Sequence, residues 1–501
     1  MQRHIGGEAA ADEAGEVSAR RLLLTVFSPI MLPIFLAVMD QTIVAAALPA
    51  MAASLGAVER ISWVVLGYLV ANTVAAPVYG RLGDVFGRRR LMLVGLVIFI
   101  VASVLCALAG SIVTLTLARV LQGLGGGGLM VQAQALIGEN VPARQRGRYQ
   151  GYLAAVIVCA SMFGPVAGGV LTQSFGWPSV FLVNVPLGLL AMALAMRLPS
   201  SAGSRERLRF DTPGLLLFAG FIVPLLLGLE QVQHFDAAAV PEMAGFFGAA
   251  ALCLVLFIVR EQRAPQPLMS LRLLRMPGVW RSAVMAACSG GLLVSEVTFV
   301  PIYLHVVHGA SPGQIGVLIL PLAATVGVGS LITGQLVSRT GRTALFPSIG
   351  QPVTCVTLGI IAVGIGHFSL WGLPAVLAFA AIFQGSAMPV AQITAQAEAG
   401  AGMLGAAAAA VQLARSVGSA IGVALVGAAL FAALARADAA TAALFAEMVT
   451  HGPAAMDALP AARQAVVQGQ VTAAFGVAFA VIAAFAGVSG VLAWTLPVRR
   501  I

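Results

Sequence analysis

The sequence predicts an all-α polytopic membrane protein: fourteen transmembrane helices, arranged as two six-helix halves around a two-helix insert. Three observations predict it. Only 9% of the 501 residues are charged and 59% are hydrophobic, more apolar surface than a water-soluble domain can hide. The apolar residues fall into stretches of roughly 20, the length a helix needs to cross the hydrocarbon core. Two short patterns then recur at one shared offset of 254 residues, as two related halves require. A backbone crossing a bilayer must satisfy its own hydrogen bonds, which selects helices here.

The expected spans are 22–48, 61–79, 91–110, 112–136, 149–171, 179–198, 212–230, 243–260, 280–304, 314–337, 346–366, 371–393, 403–434 and 471–496. Residues 1–21 form an N-terminal tail ending in Arg20 and Arg21. The apolar run after it is too long for a signal-peptide core and is interrupted by Asp40, so it reads as an uncleaved first span. Spans one to six make an N-terminal half, 22–198. A linker and insert, 199–279, carry the seventh and eighth spans between arginine clusters. The C-terminal half, 280–496, has one long Ala-rich loop at about 435–470. That loop is expected outside, with a short amphipathic helix near 442–449. Residues 497–501 close the chain as a cytoplasmic tail.

The net charge of +9 comes from 28 arginines, with no lysine. The arginines crowd into alternate loops: Arg81 and Arg88, Arg144 to Arg148, Arg205 to Arg209, Arg260 to Arg281, Arg339 and Arg342, then Arg499 and Arg500. The other loops hold little more than Arg60, Arg436 and Arg463. Cytoplasmic loops carry the positive excess, so both termini are expected in the cytoplasm, which an even span count satisfies. The charge therefore reports topology, and no nucleic-acid partner is expected, because no basic patch with interleaved aromatics occurs in a soluble domain. Each of the five cysteines lies singly within a span, without a CxxC pair. No metal site, cofactor or catalytic residue is predicted. No P-loop is present either, so the chain reads as a non-enzyme that does not hydrolyse ATP by itself.

The recurring patterns are Gly80-x-Leu82-Gly83 through Arg88 against Gly334-x-Leu336 through Arg342, and Gly164-x-x-x-Gly168 against Gly418-x-x-x-Gly422. Parallel halves related by an axis along the membrane normal are a transporter architecture with a midplane substrate site. In the loop GRLGDVFGRRR at 80–90, glycines permit a tight turn. Asp84 can pair with Arg88 or cap a facing helix N-terminus, where the dipole favours a carboxylate. Pro165 removes a helical hydrogen bond and bends span five, and Gly164, Gly168 and Gly169 allow another helix to approach.

Gly80, Asp84, Gly87 and Arg88 together resemble the inner-loop signature of the major facilitator superfamily. The run from Asp40 through Thr42 and Val44 to Pro49 resembles the DxTxVxxALP signature of its fourteen-span drug:proton antiporters. Arg119-x-x-Gln122-Gly123 is similar to the RxxQG motif, and Gly164 to Gly169 to the antiporter motif GPxxGG. Ala160 stands where that motif usually has a glycine. The resemblance covers nearly the whole chain. It implies the major facilitator fold in a bacterial inner membrane. Its implied function is proton-coupled export of amphipathic organic compounds, cationic drugs among them, by alternating access. The partners it implies are a small-molecule organic substrate, protons, the lipid bilayer and, as in some relatives, a periplasmic adaptor protein. It further implies that the 80–90 loop latches the outward-facing state.

Few charges lie inside the spans, and intramembrane charges mark function by default. Asp40 reads either as a carboxylate held by neighbouring hydroxyls or as a proton carrier, since burial disfavours its charged form. Arg119 cannot usefully lose its proton, and Asp40 is the expected partner. Glu296 precedes Gly334 by 38 residues, much as Asp40 precedes Gly80 by 40, so it reads as an approximate counterpart of Asp40. It is expected either as a hydrated residue near the external mouth or as a second proton or cation site. Arg415 is expected to pack against Asp84 or the cytoplasmic gate. Three functions stay open: a drug:proton antiporter, a dedicated exporter of an endogenous metabolite, lipid or siderophore, and a non-transporting sensor or scaffold on the same fold.

Overall fold

The structure, a computed structural model, describes residues 27–56, 60–199, 211–234, 240–451, 456 and 459–500. The tail before residue 27, the linker arginines Arg205 to Arg209 and part of the 435–470 loop lie outside the described residues. The described secondary structure is helical apart from one isolated bridge between Arg342 and Arg500. Among the described residues, thirteen helical stretches are long and apolar enough to cross a membrane, one of them (Gly372–Ala399) made of two consecutive helices, and a shorter apolar run lies at Ser179–Ala195. The chain is a multi-pass membrane protein. Two compact units divide it: residues 1–149, 156–210 and 400–409 form the first, and 150–155, 211–399 and 410–501 the second.

The first unit contains α1 (Ser28–Leu55), α2 (Ser62–Phe86), α3 (Arg88–Ala107), α4 (Ile112–Asn140), most of α5 (Arg146–Phe175), α6 (Ser179–Leu182) and α7 (Asn184–Ala195). Helix α4 packs against both α2 and α3. Its glycines explain why: a Cβ on Gly125 would stand 2.7 Å from the Phe99 nitrogen, and one on Gly127 would strike the Asn72 carbonyl. Helices in lipid associate through such close backbone approach. Ser111 starts α4 with a capping box to Thr114. The expected sixth span is split between Leu182 and Asn184, because Pro186 has no N–H and its ring clashes with the carbonyl four residues back.

The second unit contains the insert pair α8 (Thr212–His234) and α9 (Val240–Arg263), then α10 (Leu271–Leu274), α11 (Pro277–His308), α12 (Pro312–Thr340), α13 (Leu345–Gly364), α14 (Gly372–Gln384), α15 (Ala387–Ala399), most of α16 (Leu404–Ala437), α17 (Ala439–His451) and α18 (Ala461–Trp494). The insert helices pack on each other, and their ends are tied by Arg260 and Asp211 at 2.8 Å. One expected span, 371–393, is two helices, α14 and α15. Pro389 cannot donate to Gly385, whose carbonyl instead accepts from the Ser330 hydroxyl at 2.7 Å. The short helix expected near 442–449 is α17, which sinks Phe445 and Met448 into the unit's apolar core. Asp438 precedes it, and the hydrogen bond from Arg463 holds that carboxyl below the usual aspartate range.

Candidate functional site

The first unit buries a polar network in the bilayer-spanning part of four helices. Asp40 on α1 is 0% exposed and Arg119 on α4 is 1% exposed. The Arg119 Nη1 lies 2.6 Å from Asp40 Oδ2 and donates as well to Gln122 Oε1 at 2.6 Å. Gln122, one turn on from Arg119, donates through Nε2 to Asp40 Oδ1 at 2.9 Å and to the Ser103 hydroxyl at 2.8 Å. Asn184, at the break between α6 and α7, donates to Asp40 Oδ1 at 2.7 Å. The Tyr68 ring lies under the guanidinium, 4.2 Å from its carbon to the ring centroid. A buried charge is stable only when paired and hydrogen-bonded, and here both charges are. Asp40 is held by amide and guanidinium donors, so the hydroxyl-held alternative does not describe it.

Chemically, this arrangement sets a carboxylate, a group able to accept a proton, against a counter-charge that stays fixed. If Asp40 takes up a proton, Arg119 keeps its charge and loses its anionic partner. It retains the Gln122 oxygen and the Tyr68 face, the latter a cation–π contact. Gln122 and Tyr68 escaped selection from sequence as site residues. The i, i+3 spacing of Arg119 and Gln122 was the available signal for the first. A lone Asn in an apolar segment was the signal for Asn184.

The inner loop carries a second constellation. Arg88 donates to Asp84 Oδ1 at 2.8 Å, to the Ala135 carbonyl at 2.8 Å and to Glu139 at 3.2 Å. Asp84 also accepts from the Gly405 and Ala406 amides, at 3.0 and 3.2 Å. These amides open helix α16, so a carboxylate caps a helix N-terminus and meets its dipole. Both options weighed for Asp84 are thus occupied together. Gly80 permits the approach: a Cβ there would lie 2.8 Å from the Gly405 carbonyl oxygen. Gly87 adopts φ of 92°, a turn that favours glycine.

In the antiporter-type motif, a Cβ on Gly164 would strike the Thr42 hydroxyl, and one on Gly168 would stand 2.5 Å from the Ile43 carbonyl. Gly169 faces open space, with nothing within 4 Å. Pro165 lies inside the continuous helix α5. The second unit repeats the crossing: Gly418 meets Ala287 and Gly422 meets Gly291. This register corrects the reading of Glu296 as the counterpart of Asp40. Asp40 lies two residues before Thr42, whereas Glu296 lies nine residues beyond Ala287, an offset between the two of about 16 Å along the helix at ~1.5 Å per residue. Met285, fully buried, holds the position equivalent to Asp40.

Glu296 is itself 0% exposed, and the Gln384 side chain on α14 is the polar group beside its carboxyl, without a well-formed hydrogen bond to it among the described residues. Its full burial does not fit the reading of a hydrated residue near the external mouth. Arg415, on α16, donates from Nε to Gln412 at 3.4 Å and forms no ion pair among the described residues. Its carbon chain fills the space beside Gly290.

Known proteins match this picture. The Major Facilitator Superfamily family model matches residues 30–423. An uncharacterised MFS-type transporter of Mycobacterium tuberculosis is 36% identical over 331 residues, 66% of this chain and 48% of that protein. Multidrug transporter protein MdtP of Bacillus subtilis is 29% identical over 83% of this chain and 76% of its own length. The tetracenomycin C resistance and export protein of Streptomyces glaucescens is 32% identical over 79% and 73%. The chain thus spans about half the length of the mycobacterial relative. Among solved structures, the human organic anion transporter MFSD10 superposes with a TM-score of 0.64 at 14% identity, over 94% of this chain and 99% of that one. The proton:xylose symporter XylE gives 0.59 at 13% identity, over 95% and 96%. With its helices, its inner-loop constellation and the match over most of its length, the chain belongs to the Major Facilitator Superfamily of membrane transporters.

Proposed function

We propose that this chain is a proton-coupled exporter of amphipathic organic compounds, of the fourteen-span drug:proton antiporter type, acting by alternating access in a bacterial inner membrane. The observation that carries the proposal is the buried Asp40–Arg119 pair. Antiport needs proton and substrate occupancy to oppose one another thermodynamically. Protonation of Asp40 breaks an ion pair joining α1 to α4 and leaves Arg119 in need of another anion. Such a change biases the packing of one unit between two arrangements. The Asp84 cap on α16 is the proposed inner latch, and the crossing at Gly164 and Gly168 the seal against leak. Glu296, apart from the Asp40 network, is a second proton or cation site. Arg415 is proposed to support the gate through helix packing.

Resistance appears in the names of two relatives at 31% and 32% identity, and export in one of them, which supports outward movement. One of those names specifies a single compound, which favours, as a second reading, a dedicated exporter of one endogenous metabolite. Asp40→Asn tests the main reading, because it holds the neutral state at nearly constant shape. In inverted vesicles it should abolish proton-driven accumulation of substrate while leaving detectable binding. Substrate-induced proton release in detergent should fall in step. Parental accumulation and proton release in Asp40→Asn would remove Asp40 from the coupling mechanism.

A further inference from the structure

A basic cavity of about 380 Å³ lies where α13 begins and α18 ends. Arg342, Arg499 and Arg500 line it, together with Leu345, Ser348 and Trp494. Backbone pairing assembles the three arginines. The amide of Thr343 donates to the Arg499 carbonyl at 3.1 Å, and its hydroxyl donates to the Val498 carbonyl at 2.6 Å. Arg342 and Arg500 face each other across the isolated bridge. Arg499 Nη2 donates to the Trp494 carbonyl at 3.0 Å, and the Trp494 indole donates to the Ser348 carbonyl at 2.7 Å. Among the described residues, the cavity lining contains no carboxylate, and none of the three arginines forms an ion pair. Glu398 lies beside Gly278 and Pro497 but does not line the cavity. Three like charges held around one space repel, and an anion seated there relieves them.

The surroundings identify the anion. Leu345, Ile349, Val356 and Ile360 form an exposed apolar stripe on α13, and Val488, Val491 and Trp494 form one on α18. The two helices pack on each other, so both stripes run up to the cavity. Trp494 is 58% exposed, in the position of an aromatic anchor at the membrane interface. The arginine bias assigns this end to the cytoplasmic side, where anionic lipids attract basic residues. We infer that the cavity formed by Arg342, Arg499 and Arg500 binds the phosphate headgroup of an anionic phospholipid, whose acyl chains lie along α13 and α18. This site shares no residue with the Asp40 network and does not depend on the transport reading.

Trp494 provides a local reporter. In the full chain with the other four tryptophans changed to Phe, reconstituted in phosphatidylcholine vesicles, brominated phosphatidylglycerol should quench Trp494 about fivefold more effectively than brominated phosphatidylcholine. Arg342→Gln/Arg499→Gln/Arg500→Gln should reduce that preference to about one. Arg272→Gln/Arg275→Gln, a change to exposed arginines outside the cavity, should leave it intact. Equal quenching by the two lipids, or an undiminished preference in the triple variant, would overturn the inference. Displacement of the brominated anionic lipid by inorganic phosphate at constant ionic strength would also overturn it, assigning a free-phosphate site instead. Should the tryptophan background not fold, native mass spectrometry of the otherwise unaltered chain decides between the same outcomes. Retained phosphatidylglycerol should then fall about fivefold in Arg342→Gln, and unchanged retention overturns the site.

Discussion

Within the buried network of the first unit, each partner of Asp40 is replaceable only at a cost set by what it leaves behind. Gln122 both donates to Asp40 and accepts from Arg119, so Gln122→Ala strips a hydrogen bond from each charge at once. Leaving buried charged groups short of partners costs about 1–3 kcal/mol for each lost bond, more than the bond contributes when made. Gln122→Ala should therefore lower the thermal midpoint and slow transport, and Gln122→Glu should slow transport without restoring coupling, because it adds a second carboxylate beside Asp40. Thermal unfolding followed in detergent, alongside vesicle transport, checks both; a stable, fully active Gln122→Ala would show that the network tolerates a gap. Glu296 gives a separate test. Its carboxyl forms no ion pair among the described residues, so Glu296→Gln should impair cationic substrates more than neutral ones. Equal losses for the two classes, measured as initial transport rates, would exclude charge recognition.

Helix crossings turn single glycines into geometric requirements. Gly168 abuts the Ile43 carbonyl, a backbone atom that cannot swing aside, whereas Gly169 faces open space. Gly168→Ala should force α1 and α5 apart and cost about 1–3 kcal/mol as an overpacked contact. Gly169→Ala should be close to neutral. Comparing the two by melting temperature and by proton leak in vesicles separates a sealing crossing from a merely glycine-rich run; equal effects would refute the distinction. At the inner loop, Asp84→Asn removes the charge facing the two amides at the start of α16 while keeping its shape. Transport should drop about tenfold, for roughly 1.4 kcal/mol of lost interaction, with little change in protein abundance. Normal rates in reconstituted vesicles would remove the latch role.

At the scale of the whole molecule, we propose an orientation from where the arginines lie. Both termini and the 80–90 loop are proposed to face the cytoplasm, and α17 with the start of α18 to lie outside. In a chain lacking the five native cysteines, Ala462→Cys should react with an impermeant thiol reagent applied to intact cells, since Ala462 is exposed at the start of α18. Labelling only after lysis would invert the orientation. The division into a first half, a two-helix insert and a second half remains a proposal on the same footing. The self-packed insert pair, clasped by Arg260 and Asp211, is consistent with it.

The sequence by itself determined the membrane-spanning helical class, the family and the short list of intramembrane charges, because hydropathy and charge bias are local properties. It placed helix ends less well. Helices such as Ser62–Phe86 and Ala461–Trp494 continue past their apolar cores, and prolines at 186 and 389 divide two expected spans. Tertiary structure alone decided which residues meet. It brought Asn184, Ser103 and Tyr68 from three other helices to Asp40 and to Arg119 with Gln122, and separated Gly168 from its neighbour Gly169 by what each faces. It also moved Glu296 out of register with Asp40. Similar spacing to a motif in sequence does not fix depth along a helix; only the crossing of α11 with α16 sets that, through the backbone contact of Ala287 with Gly418.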